Sequence, residues 1–168
     1  FQAGDDTQLG LEKGLVLTCG SIANAIGPNN SNSTTTVLGN GGDADLNYLS
    51  TVFGNGTTSN DACIVELDVF VATDQLTFEY VFGSEEYPEY VGSQFNDAFG
   101  FFIWGPNPIG GAYSGSNIAK LPNSTPVAIN NINNGSTNSG PCTNCGFYVN
   151  NTGGTTIQYD GFTTPLTA

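Results

Sequence analysis

The strongest constraint on this chain lies between Phe78 and Trp104, in FEYVFGSEEYPEYVGSQFNDAFGFFIW, which holds ten of the nineteen aromatic residues. Leu76, Phe78, Tyr80 and Phe82 alternate with Thr77, Glu79 and Val81. That period of two presents one face of a strand to a core. Phe99, Phe101 and Ile103 repeat it further on. The intervening SEEYPEYVGSQFND, bent by Pro88 and Gly92, is too polar to continue either strand. Two aromatic strands therefore carry a loop bearing Glu85, Glu86 and Glu89, with Asp97 at its exit.

The rest of the chain predicts more strands. Residues 62–72 read as the longest one, with Cys63, Val65, Leu67, Val69 and Val71 on one face and Ile64, Glu66, Asp68 and Phe70 on the other. Asp74-Gln75 reads as the turn of an antiparallel hairpin into the 76–82 strand. Shorter strands are expected at 15–19, 118–121, 127–132, 147–149 and 156–162. Leu46, Leu49, Val52 and Phe53 follow GGDADL at helical spacing, so a short helix capped by Asp43 or Asp45 is expected up to Gly54. Arg and Met are absent, and Gly, Asn, Ser and Thr abound. The fold class is all-β, an antiparallel β-sandwich of jelly-roll type with one short helix. At 168 residues without repeat or linker it reads as one domain.

The formal net charge is −13 although only 10% of residues are charged, so the acidity reflects a near absence of bases. With two lysines the chain has almost nothing to neutralise phosphates, which excludes nucleic acid as a partner and disfavours an anionic membrane surface. No run is long and apolar enough to span a membrane. Divalent cations are the natural counter-charge.

Four cysteines allow three pairings. Cys142-x-x-Cys145 also has the spacing of a redox or zinc motif. Zinc would need two more ligands, and the chain has no His, leaving Cys19 and Cys63 to complete an all-cysteine site. The favoured reading is two structural disulfides, Cys19–Cys63 and Cys142–Cys145, which implies an oxidising, extracellular setting. Asn-x-Ser/Thr acceptors are frequent, as they must be in so Asn-, Ser- and Thr-rich a chain; they permit glycosylation without predicting it.

Four segments together resemble the choice-of-anchor L domain of bacterial extracellular proteins. They are GGDADL (41–46), FEYVFGSEEYPEYVGSQFNDAFGFFIWGP (78–106), NIAKLPNSTPVAINNIN (117–133) and IQYDGFTTPLTA (157–168). The resemblance runs from about Gly14 to Ala168. It implies a secreted or surface-attached module, often of large adhesin-like proteins, and does not imply a known catalytic activity. Members of this family usually continue past the YDGFT segment into further strands, so the module is expected either to lack its last strands or to receive a strand from elsewhere. An open sheet edge is a template for strand addition, which points to a homo-oligomer or to other surface proteins as partners.

The acidic residues offer one chemistry above others. Glu85, Glu86 and Asp97 from the aromatic-flanked loop, with Asp43 and Asp45 from GGDADL, form an oxygen-only ligand set that suits calcium. Calcium would join the two loops and relieve their repulsion. The alternative is that these acids are solvated, or accept backbone N–H bonds that hold the turn. Tyr87 and Tyr90 are candidates for stacking on glycans, or else pin the loop to the core. Carboxylate-pair hydrolysis has no support from spacing, since Glu85 and Glu86 point to opposite faces if extended. The expected function is non-enzymatic adhesion or fibre assembly stabilised by calcium; the alternative is carbohydrate binding.

Overall fold

A computed structural model of the chain describes residues 1–2, 6–55 and 57–168, without the Phe53 side chain, so the place of Phe53 on the helix face lies outside the described residues. The elements are helix α1 (Ala44–Gly54) and strands β1 (Glu79–Tyr80), β2 (Gly83–Ser84), β3 (Ala98–Phe99), β4 (Phe102–Pro106), β5 (Ala112–Asn117), β6 (Val127–Ala128), β7 (Tyr148–Asn150), β8 (Gly161–Thr163) and β9 (Leu166–Thr167). Single 3-10 turns lie at Ile22–Ala25, Ile129–Asn131 and Cys145–Phe147.

The strands form four small antiparallel sheets, β1-β9, β2-β8-β7, β3-β6 and β4-β5. The all-strand character with one helix agrees with the sequence; the two facing sheets of a jelly roll are not found among the described residues. The aromatic strands are cut short by their own glycines and turns. At Gly100 the Phe102 ring fills the space a side chain would need, and there the Phe99–Trp104 strand divides into β3 and β4. β5 pairs along β4 from Phe102↔Asn117 to Pro106↔Ala112.

Residues 62–72 depart most from expectation. Their alternation predicts a strand paired with 76–82, yet that hairpin does not form. Instead Tyr80 lies opposite Leu166, and Phe78 and Ala168 exchange two backbone hydrogen bonds, each 2.9 Å. The C-terminal β9 thus takes the place expected for the 62–72 segment. From Cys63 to Thr77 no backbone ladder forms with the described residues. Leu67 is 70% and Phe70 95% exposed, and Ile64, Val65, Val69 and Val71 are also exposed.

The core gathers Tyr80, Ala119, Leu121, Val127, Ile132 and Leu166, with Phe82, Phe99, Phe101, Phe147 and Tyr148 packed on it. Ring centroids of Phe78 and Phe101 are 4.7 Å apart and those of Tyr80 and Phe99 4.8 Å, so the two aromatic strands meet face to face as their period requires. Each such buried side chain contributes about 1.5–3 kcal/mol. Next to this core, Lys120 bridges to Pro126, while the Leu121 amide donates to the Thr125 carbonyl at 2.8 Å.

Helix α1 begins at Asp43, whose Oδ1 accepts the amides of Asp45 and Leu46, both at 2.9 Å. Two donors left open by the first turn are satisfied this way. The helix buries Leu49 and Ser50 against the exit of the acidic loop, where the Ser50 hydroxyl donates to the Asn96 carbonyl at 3.2 Å.

Candidate functional site

The acidic loop leaves β2 at Ser84 and returns at β3 through Asp97. Its ends are joined by one side chain: the Ser84 hydroxyl donates to Asp97 Oδ2 at 2.7 Å and accepts the Glu86 amide at 2.9 Å. Between them Pro88 and Gly92 turn the chain, with backbone bonds Tyr90→Glu86, Val91→Pro88 and Ser93→Tyr90. Asn130 holds the far side, its Oδ1 accepting the Gly92 amide at 2.6 Å and its Nδ2 donating to the Ser93 carbonyl at 2.9 Å.

Tyr87 anchors the loop from beneath. It has no exposed surface, its hydroxyl donates to the Ile132 carbonyl at 2.7 Å, and its ring lies 4.9 Å from that of Tyr148. A ring so placed cannot stack on a sugar, which corrects its candidacy for glycan contact; it takes the pinning role instead. Tyr90 is exposed and packs edge-on to Phe95, centroids 5.2 Å apart.

Carboxylates crowd at this end of the molecule. Burial pushes Glu86 up to about 7, and Asp97, Glu85 and Glu89 each add repulsion in the same direction. Desolvation of the Asp97 carboxyl raises it and the Ser84 hydroxyl pulls it back, although the residue as a whole keeps open surface.

A further acid joins them from the other end of the chain. The β2–β8 ladder, in which Gly83 faces Phe162 and Ser84 faces Gly161, ends one residue short of Glu85 and of Asp160, and the two acids lie near enough for the charge of Glu85 to act on Asp160. Glu85 Oε1 accepts the Thr34 amide at 2.8 Å and the Gln158 side-chain amide at 3.2 Å. Asp160 Oδ1 accepts the Asn29 side-chain amide at 2.8 Å. Their second oxygens, Glu85 Oε2 and Asp160 Oδ2, are buried without a hydrogen-bond partner among the described residues. Asp160 keeps 4% of its surface. Burial, partly offset by Asn29 and reinforced by Glu85 and Glu89, pushes it up to about 6.

The chain matches the family model for the choice-of-anchor L domain over residues 1–168. It belongs to the choice-of-anchor L family. No curated protein and no solved structure matches it. Choice-of-anchor L domains are bacterial and surface-associated, which gives this one a cell-surface or extracellular address. No helix among its described residues is long and apolar enough to cross a membrane.

In this choice-of-anchor L domain the five expected metal ligands divide into two groups. Glu85, Glu86 and Asp97 lie together, and the charges acting on Glu86 are Asp97, Glu85 and Glu89. Asp43 spends a carboxylate oxygen on the helix cap and Asp45 sits exposed in the first turn of α1, so neither is among those charges. Among the described residues no three Cys, Asp or Glu side chains gather closely enough to hold an ion by themselves. Sequence reasoning passed over Asp160, Gln158 and Asn29. The only signal was an acid, in QYDGF, at the edge of a strand.

Cys142 and Cys145 form a disulfide that ties down the 133–145 loop, Cα atoms 5.4 Å apart. Cys19 and Cys63 are free thiols in the structure, so the expected Cys19–Cys63 disulfide is not formed there, although Cys63 lies near enough to act on the Cys19 thiol.

Proposed function

We propose that this domain is a non-enzymatic assembly module of the bacterial surface, which associates by strand addition through residues 62–72. One observation carries the reading: an eleven-residue stretch with strand alternation lies exposed, apolar and without a backbone ladder to the described residues. Unpaired backbone amides and carbonyls on a flat apolar segment template the addition of another strand.

A second copy is the partner that meets the need with least machinery, because a two-fold antiparallel pair covers both segments in one step. Charge selects the register. Centred on Leu67, the pair would set Glu66 opposite Asp68, which opposes association. Centred on Val69, it sets Asp68 opposite Phe70 and Glu66 opposite Ala72, and no carboxylates face each other.

The test is the mass of the purified domain in solution by light scattering, beside a Val69→Pro variant. Proline removes the amide at the centre of the pair without touching the folded core. Concentration-dependent dimers or filaments lost in V69P support the reading. A monomer at every concentration, or assembly that V69P leaves intact, overturns it. Saturable glycan binding by such a monomer would transfer the function to carbohydrate recognition.

A further inference from the structure

We infer that Glu85 and Asp160 are the carboxylate pair of a calcium site that fastens β2 to β8 at the base of the acidic loop. Glu85 and Asp160 flank the last pair of the β2–β8 ladder, Ser84↔Gly161, and like charges held near one another across two strands are destabilising. Here each carboxylate satisfies one oxygen with amides from the 29–34 segment or Gln158 and leaves the other buried and unpartnered. Leaving one such oxygen unsatisfied is costly, and leaving two side by side with like charge is more so. Neither of the two lysines is hydrogen-bonded or ion-paired to either acid in the structure, whereas a divalent ion between the two orphaned oxygens satisfies both and cancels the repulsion.

The donor chemistry selects the ion. The side chains hydrogen-bonded to the pair, Gln158 and Asn29, are amides, and neither they nor the two acids carry a thiol or an imidazole, which disfavours zinc. Calcium accepts an irregular shell of six to eight oxygens, including water and neutral carbonyls, where magnesium demands a near-ideal octahedron. Two carboxylates, rather than the three or four of a tight site, suit the weak class of extracellular calcium modules, with dissociation constants of about 10⁻⁴–10⁻³ M. This pair differs from the loop-to-loop site expected from sequence: it keeps Glu85, replaces Asp43 and Asp45 with Asp160, and needs no movement of helix α1. It is also independent of the 62–72 segment, so the two proposals fail separately.

The experiment is thermal unfolding and calorimetric titration of chelator-stripped, non-reduced domain with calcium chloride, repeated with magnesium chloride. Binding to the native state alone raises the midpoint with concentration. The expected result is a saturable rise with calcium and a much smaller one with magnesium. Asp160→Asn and Glu85→Gln should each weaken calcium at least tenfold, while Asp43→Ala leaves its affinity unchanged. Should one variant fail to fold, the other carries the test. No calcium-dependent rise in the unaltered domain overturns the inference, as does a rise that survives a folded D160N or E85Q.

Discussion

The Tyr87 hydroxyl donates to the Ile132 carbonyl at 2.7 Å from a side chain with no exposed surface. This bond crosses from the middle of the acidic loop to the 3-10 turn Ile129–Asn131 and its exit, so the loop is fastened at its centre as well as its ends. Tyr87→Phe leaves the Ile132 carbonyl without this donor and should cost about 1–3 kcal/mol in denaturant unfolding. Tyr87→Ala also empties a ring-sized space and should cost about 3–5 kcal/mol. Equal losses in the two variants would mean that the ring contributes nothing beyond its hydroxyl.

Asp43 is the N-cap of α1, holding the Asp45 and Leu46 amides. Asp43→Ala should destabilise the domain by about 1 kcal/mol, and Asp43→Asn by much less. Unfolding curves of the two variants, measured with chelator present, check this.

Asp61 accepts the amides of Leu38 and Asn40, and these bonds hold its carboxyl below the ordinary aspartate value. A carboxylate lowered on folding contributes its stabilisation above its unfolded pKa and loses it as pH falls through the folded one. Protection of the Leu38 and Asn40 amides, measured as exchange relative to the intrinsic rate at each pH, should therefore hold through neutral pH and fall in acid. An Asp61→Asn variant should lose that protection at neutral pH.

Cys19 and Cys63 are placed to oxidise. Thiolate attack on a small disulfide such as oxidised glutathione, followed by attack of the second thiol, forms the Cys19–Cys63 bond and releases two reduced glutathiones. The loop so closed should add roughly 4 kcal/mol on the chain-entropy account. Peptide mapping of non-reduced, air-exposed protein should find residues 19 and 63 cross-linked and no thiol open to alkylation.

Much of the core was legible in sequence because it depends on local alternation. Tyr80, Phe99 and Phe101 meet as their period of two requires, and the GGDADL start of α1 follows from capping rules. The 62–72 segment has the same alternation and no ladder. Periodicity reports which faces are apolar; it carries no information on which strand reaches the partner first, and β9 occupies that place beside β1. Asp160 was missed for a related reason. Its nearness to Glu85 follows from the β2–β8 pairing of residues more than seventy positions apart, which no spacing along the chain encodes. Asp43 was ambiguous in a different way, since an acid before a helix and an acid in a cation loop share one local pattern, and only the Asp45 and Leu46 amides decide between them.

The bridge between Lys120 and Pro126 bears on survival outside the cell. Trypsin-like proteases cleave after basic residues, and this chain has only Lys13 and Lys120. Cutting after Lys120 requires an extended strand in the enzyme's cleft, but Leu121 is 2% exposed and its amide is held by Thr125. Only two such cuts exist in this sequence, and burial of the residue after Lys120 makes Lys13, exposed together with Gly14, the one that such enzymes reach first.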